Sequence, residues 1–209
     1  KRAVDWRFVD KACPTSQFKE AVETRARELA AMSDRPSTGP GIALGPLQPT
    51  IESDAFRYKY VSAVIDRAKR TCDLTISAPD TPQPRTPDEF LQTGDQAWAV
   101  RAFRELDDCL LRLRLNEPEI GTVILRAVGD PAAVLTVDAT LTEHQSHWLV
   151  REIIGLIRRT LKRVDLTSRS FFALIEPSNA FAGTLFDLAL AADRAFMTDH
   201  AEDENTVHL

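Results

Sequence analysis

The stretch "IEPSNAFAGTLFDLALAADR", residues 175–194, follows an apolar approach, Phe171 to Ile175. It then turns through small residues into a segment with helical spacing. Gly183 and Thr184 stand where that helix starts, and Asp187 lies one turn further in. A strand that delivers a glycine-containing turn into a helix start presents unsatisfied backbone N–H groups, which suit an anion. In an acyl-transfer or enolate-forming site, such donors stabilise the oxygen that gains charge. Spacing alone leaves the simpler alternative open: an ordinary connection in which Gly183 relieves crowding, since one glycine at a helix start is a weak signal.

Composition bounds the rest. With 209 residues and 44% hydrophobic content, the chain can bury a real core in one or two domains. A net charge of −5 argues against a general nucleic-acid binder. Cys13, Cys72 and Cys109 are widely spaced and form no CxxC pair, which fits a reducing, cytoplasmic setting. No apolar run approaches the roughly 20 residues of a membrane-spanning helix. The opening "KRAVDWRFVD" already reads as structured sequence, so the chain is expected to be a piece of a longer protein.

Along the chain, "CPTSQFKEAVETRARELAAMSD" reads as a helix with Ser16 as N-cap and a stripe of Phe18, Ala21, Val22, Ala26, Leu29 and Ala30. The Pro- and Gly-rich residues 33–49 that follow read as a linker. Two β-type runs, Tyr58 to Ile65 and Thr71 to Ser77, flank a polar turn and predict a hairpin. A second Pro-rich loop, residues 79–90, precedes an amphipathic helix over 95–115. On that helix Trp98, Ala102, Phe103, Leu106, Cys109, Leu110 and Leu113 share a face. "GTVILRAVGD" is a buried strand, "HWLVREIIGLIRRTLKRV" a long helix, "RSFFALI" a strand, and "DRAFMT" a further strand after the opening helix. This alternation implies right-handed crossovers and a largely parallel sheet. The acidic tail "DHAEDENTVHL" is expected to be poorly ordered.

"FFALIEPSNAFAGTLFDLALAADRAFM", with "GTVILRAVGD" upstream, resembles the crotonase (enoyl-CoA hydratase/isomerase) superfamily. The long helix with "TSRSFFALIEP" is similar to a two-module, ring-cleaving branch of it. The resemblance implies a ClpP/crotonase α/β module with a parallel sheet and flanking helices. Residues 1–32 then correspond to the helical end of a first module, 33–55 to the linker, and 56–209 to an incomplete, degenerate second module. It implies a CoA-thioester substrate handled through the first module, no metal and no redox cofactor, and a homo-oligomer, expected to be a dimer. The implied chemistry is hydrolytic opening of an epoxidised aromatic ring; the alternatives are a non-catalytic module for dimerisation and support, or an enoyl-CoA hydratase/isomerase-like enzyme.

Carried over residue by residue, the superfamily's first loop glycine is Gly183, its next positions are Thr184 and Leu185, and its acid is Asp187. Gly183 and Thr184 are the candidate oxyanion-type backbone, and Asp187 and Glu176 are weak catalytic candidates; no catalytic residue is expected in this chain. The superfamily's second donor comes from a loop after the earlier strand. The matching stretch is "TVDATL", residues 136–141, which puts Asp138 where a glycine is expected. A carboxylate there repels a developing enolate, so the hole is expected to be disabled.

Other groups have bland readings. Arg151, Arg158, Arg159, Lys162 and Arg163 form a basic stripe that reads as a solvated face rather than a phosphate or nucleic-acid site. His144 and His147 beside Glu143 lack companions at zinc-ligand spacing. Cys72 has no paired base. Trp98, Phe103, Trp148, Phe171 and Phe172 read as core or module-interface aromatics.

Overall fold

The computed structural model describes residues 2–33, 38, 41–199 and 205–207. The chain divides between residues 39 and 40 into two units. The first holds helices α1 (Arg2–Asp5) and α2 (Thr15–Ala31). The N-cap expectation at Ser16 is corrected: Pro14 precedes the first turn, no side chain caps it, and Ser16 lies inside the helix. No residue of α2 is buried, so among the described residues of this small unit its apolar stripe is left uncovered.

The second unit is built on a seven-stranded sheet in sequence order: β1 (Thr50–Ile51), β2 (Ala55–Arg57), β3 (Val61–Asp66), β4 (Thr71–Ser77), β5 (Thr122–Val128), β6 (Ser170–Ile175) and β7 (Arg194–Met197). Strands β1 to β4 form an antiparallel meander, and β4 to β7 run parallel. The predicted hairpin is β3–β4, and Arg70 takes a positive φ of 58° in its turn. Parallel neighbours need helical crossovers. Helices α3 (Pro87–Thr93) and α4 (Trp98–Asn116) join β4 to β5. Helices α5 (Pro131–Glu143) and α6 (Trp148–Asp165) join β5 to β6, and α7 (Gly183–Leu190) joins β6 to β7.

Period-two alternation puts Cys72, Leu74, Ile76, Val123, Leu125, Ala127, Phe171, Ala173 and Ile175 on one buried face. Trp98 and Phe103 of α4 are buried with them, and their rings meet edge to face at 5.9 Å. The indole N–H of Trp98 donates to Ser77 O at 2.8 Å, fixing α4 to the end of β4.

Further expectations along the chain differ from the structure. The helix expected from residue 95 starts at Trp98, with a 3-10 turn over Gly94–Gln96 before it. The Pro-rich loop ends in a helix, α3: Thr86 Oγ accepts from Glu89 N–H at 3.3 Å, and Glu89 accepts from Arg85 N–H at 2.7 Å. The expected linker 33–55 carries β1 and the start of β2, and Gly45 is held from both sides. Asp95 accepts its N–H at 2.7 Å and Arg104 donates to its carbonyl at 2.7 Å. Residues 34–37, 39 and 40 of that linker lie outside the described residues. Of the tail, residues 200–204, 208 and 209 also lie outside them, while Asn205 donates to Ile175 O at 2.8 Å and to Thr198 O at 3.2 Å.

One buried ion pair ties α4 to the meander. The fully buried Glu105 accepts from Tyr60 N–H at 2.7 Å and from Arg101 Nε at 2.6 Å. Removing one partner of such a pair strands the others without water. Glu105→Ala is therefore expected to destabilise the second unit by about 3 kcal/mol, read as a lower urea midpoint at unchanged slope. An unchanged midpoint contradicts this role.

Candidate functional site

Strand β6 ends at Ile175, and the chain passes through Asn179 to the start of α7. Asn179 Oδ1 accepts from Phe181 N–H at 2.8 Å, and Ala180 N–H donates to Ala127 O at 3.0 Å, pinning this turn to the end of β5. Ala182 is the N-cap residue and contributes no side-chain acceptor. Leu185 and Phe186 N–H donate to Ala182 O at 2.9 and 3.2 Å, while the cap side chain offers the Thr184 amide no acceptor.

The missing acceptor comes from another helix. Asp138 of α5 accepts from Thr184 N–H at 2.7 Å through Oδ2, and its Oδ1 accepts from the Thr184 hydroxyl. This does for α7 what an N-cap side chain does, and places an acid at the positive end of the helix dipole, worth about 0.3–1 kcal/mol at exposed sites and up to ~2 when partly buried. Gly183, at φ 44°, makes room for it: a Cβ there would lie 2.0 Å from Asp138 Oδ2. The glycine is thus required both by backbone conformation and by the carboxyl group against it.

The geometry corrects the expected setting of residues 136–141. Residues 136–141 are not a loop but the interior of α5, which Asp130 caps by accepting from Ala132 N–H at 2.9 Å. An amide inside a helix is spent on the i−4 carbonyl, so residue 138 offers no free donor. What it offers is a carboxyl group, aimed at the one donor on the opposite side. The cleft beside this contact has a volume of about 420 Å³, and Leu141, Ile154, Arg158, Leu161 and Asp187 help to line it.

Burial raises the Asp138 carboxyl above the ordinary carboxylate range, against the two hydrogen bonds from Thr184 that lower it; the nearby Asp187 raises it further. Partial desolvation also raises Asp187, which stands exposed on the cleft wall. The two weak catalytic candidates are not brought together. Glu176 is not among the residues lining this cleft and forms an ion pair with Arg126, whose Nε lies 3.4 Å from Asp73 Oδ1.

Several of the remaining candidates have partners within the fold. Arg163 pairs with Asp107 and Lys162 with Asp165, so part of the basic stripe is engaged within and between helices. His144 Nε2 donates to Arg85 O at 3.1 Å, and His147 occupies the N-cap position of α6. Among the described residues, no three His, Cys, Asp or Glu side chains are grouped to hold a metal ion. Burial pushes the Cys72 thiol up to about 12 and that of Cys109 well above its ordinary value, which leaves neither a thiolate nucleophile. Also among these residues, no helix is long and apolar enough to cross a membrane.

Two outcomes follow from the Asp138–Thr184 contact. Gly183→Ala is expected to cost about 3 kcal/mol from clash plus strain; in an Asp138→Ala background only the strain of positive φ remains, about 1 kcal/mol. A double-mutant cycle on urea unfolding reads the difference, and strictly additive values contradict the contact. The second outcome concerns pH. An acid whose folded pKa is raised binds more protons folded than unfolded, so its contribution is complete below 3.8, the ordinary value, and is lost as pH rises through the raised one. Stability should fall with pH across that window, and Asp138→Asn should flatten this part of the profile. An unaltered slope contradicts the assignment.

No protein-family model matches the chain. The curated benzoyl-CoA-dihydrodiol lyase of Aromatoleum evansii is 45% identical over 209 residues, which is 100% of this chain and 38% of the relative. Among solved structures, an enoyl-CoA hydratase from Geobacillus kaustophilus is 13% identical, with a TM-score of 0.45 over 68% of this chain and 47% of that one. An enoyl-CoA hydratase/isomerase from Marinobacter aquaeolei is 17% identical, with a TM-score of 0.42 over 66% and 48%. The chain spans well under half the length of the curated relative it matches. This α/β chain is thus similar, from its first residue to its last, to a portion of a benzoyl-CoA-dihydrodiol lyase.

Proposed function

We propose that this chain is the middle-to-C-terminal portion of a cytoplasmic, ring-cleaving lyase of crotonase type. The whole enzyme opens 2,3-epoxybenzoyl-CoA with water, releases formate and leaves a semialdehyde CoA thioester, in aerobic benzoate degradation. In this reading residues 1–32 close a catalytic first module that lies outside the chain, and residues 56–209 are a degenerate second module. The chemistry belongs to the first module, where backbone donors hold the thioester oxygen and carboxylates move protons.

One observation carries the non-catalytic reading of this portion: the Thr184 amide, the remaining oxyanion-type donor, is already taken by Asp138. An acyl oxygen gaining negative charge would have to displace a carboxyl group and meet Asp187 on the same wall. A module of this kind supports its partner and contributes to a dimer. The exposed apolar residues of α2, Phe18, Val22 and Leu29, favour that supporting role, because a stripe without a partner in its own unit is suited to pack on another. Nothing in the cleft favours an enoyl-CoA hydratase: the acid at its superfamily position is Asp187, and the donor pair is absent.

The test is turnover of 2,3-epoxybenzoyl-CoA by the longer polypeptide that carries this chain, beside the 209 residues alone. Formate release is expected from the former only. Release from the 209 residues alone contradicts the non-catalytic reading, and none from either contradicts the lyase reading.

A further inference from the structure

The buried residues of the crossover helices join one core cluster with the buried face of the sheet, and the other face has its own pattern. Val64 lies opposite Asp73, Asp73 beside Ile124, Ile124 beside Phe172, and Leu174 beside Phe196. Strand alternation puts all of these on the face turned away from Cys72, Leu74 and Ile76. Among the described residues nothing buries this face at its margins: Val64 is 43% exposed and Phe196 56%. Phe196 already meets Phe172 edge to face at 6.0 Å, and all four residues of β7 are exposed.

Sheets with parallel strands are stable when both faces are covered. The polar groups here suit a face that is to be covered, because Arg126 sits between Asp73 and Glu176 and is neutralised within the face. A charge paired this way can lose water without being left alone. Apolar positions at both margins, with a cation between them that is paired on two sides, suit a surface made to be covered.

We propose that this face is covered by a second apolar layer supplied by polypeptide outside these 209 residues. The proposal rests on the reading of the chain as part of a longer lyase. It draws its occupant from length: the lyase that matches this whole chain has most of its own residues outside the match. That layer packs on Val64, Ile124, Phe172 and Phe196 about 10 Å above the sheet, the spacing of stacked sheets, and it covers β7, whose exposed edge would otherwise pair at random.

Hydrogen exchange tests this without any substitution. The amides of Ala195, Phe196 and Met197 are expected to exchange about a hundredfold more slowly in the longer polypeptide than in the 209 residues alone. Phe196→Lys is expected to lower the Tm of the longer polypeptide more than Leu115→Lys, at an exposed site on α4, and the gap should vanish in the 209-residue chain. Equal exchange in both proteins overturns the proposal. So does a concentration-dependent dimer of the 209-residue chain that Phe196→Lys abolishes, since a second copy is then the cover. Turnover of epoxybenzoyl-CoA without protection of β7 sinks only this proposal; protection without turnover sinks only the lyase reading.

Discussion

The hydrogen bonds from Thr184 to the Asp138 carboxyl group organise everything that the cleft can and cannot do. A helix that begins without a local cap needs an acceptor from somewhere. Here a second helix supplies it, and the supply fixes the relative placement of α5 and α7, the need for glycine at 183, and the polarity of the cleft. The arrangement satisfies the helix start from within the fold, and under the proposed non-catalytic reading it occupies the donor that an anionic intermediate would use.

The sheet makes this contact possible. The parallel order of β5, β6 and β7 places α5 and α7 side by side above the same ends of their strands. Asn179 and Ala180 then tie the turn before α7 to the end of β5. Farther away, Asp95 and Arg104 hold the chain at Gly45, and Glu105 holds Tyr60, so α4 carries the start of the unit as well as its core. Asp95, Arg104 and Glu105 thus serve as ties between elements.

Much of this was legible in the sequence because the signals were local apolar runs and, in α4, a periodic stripe. β-type and apolar runs found β4, β5 and β6, a helical stripe found α4, and a long helical segment found α6, where burial is one-sided. Two helices escaped. Both α3 and α5 open on short cap signals, Thr86-Pro87 and Asp130-Pro131, whose force is local and carries no long apolar stripe. The tie at Gly45 depends on side chains 50 and 59 residues away, which no local pattern reveals. At the site, Gly183, Thr184, Asp187 and the importance of Asp138 came from likeness to a known family. That residue 138 sits inside a helix, and reaches across to Thr184, came only from the fold. Glu176 looked like an acid near the site, and its pairing with Arg126 is a tertiary fact with no sequence signature.

The central claim, that the Thr184 amide belongs to Asp138 and not to a ligand, is most directly tested by following that amide in nitrogen–proton NMR spectra of the 209-residue chain. The account predicts a Thr184 resonance that shifts with the raised titration of the Asp138 carboxyl and stays unmoved when benzoyl-CoA is added to saturation. A saturable shift of Thr184 on adding benzoyl-CoA, with no response to the titration of Asp138, would contradict it.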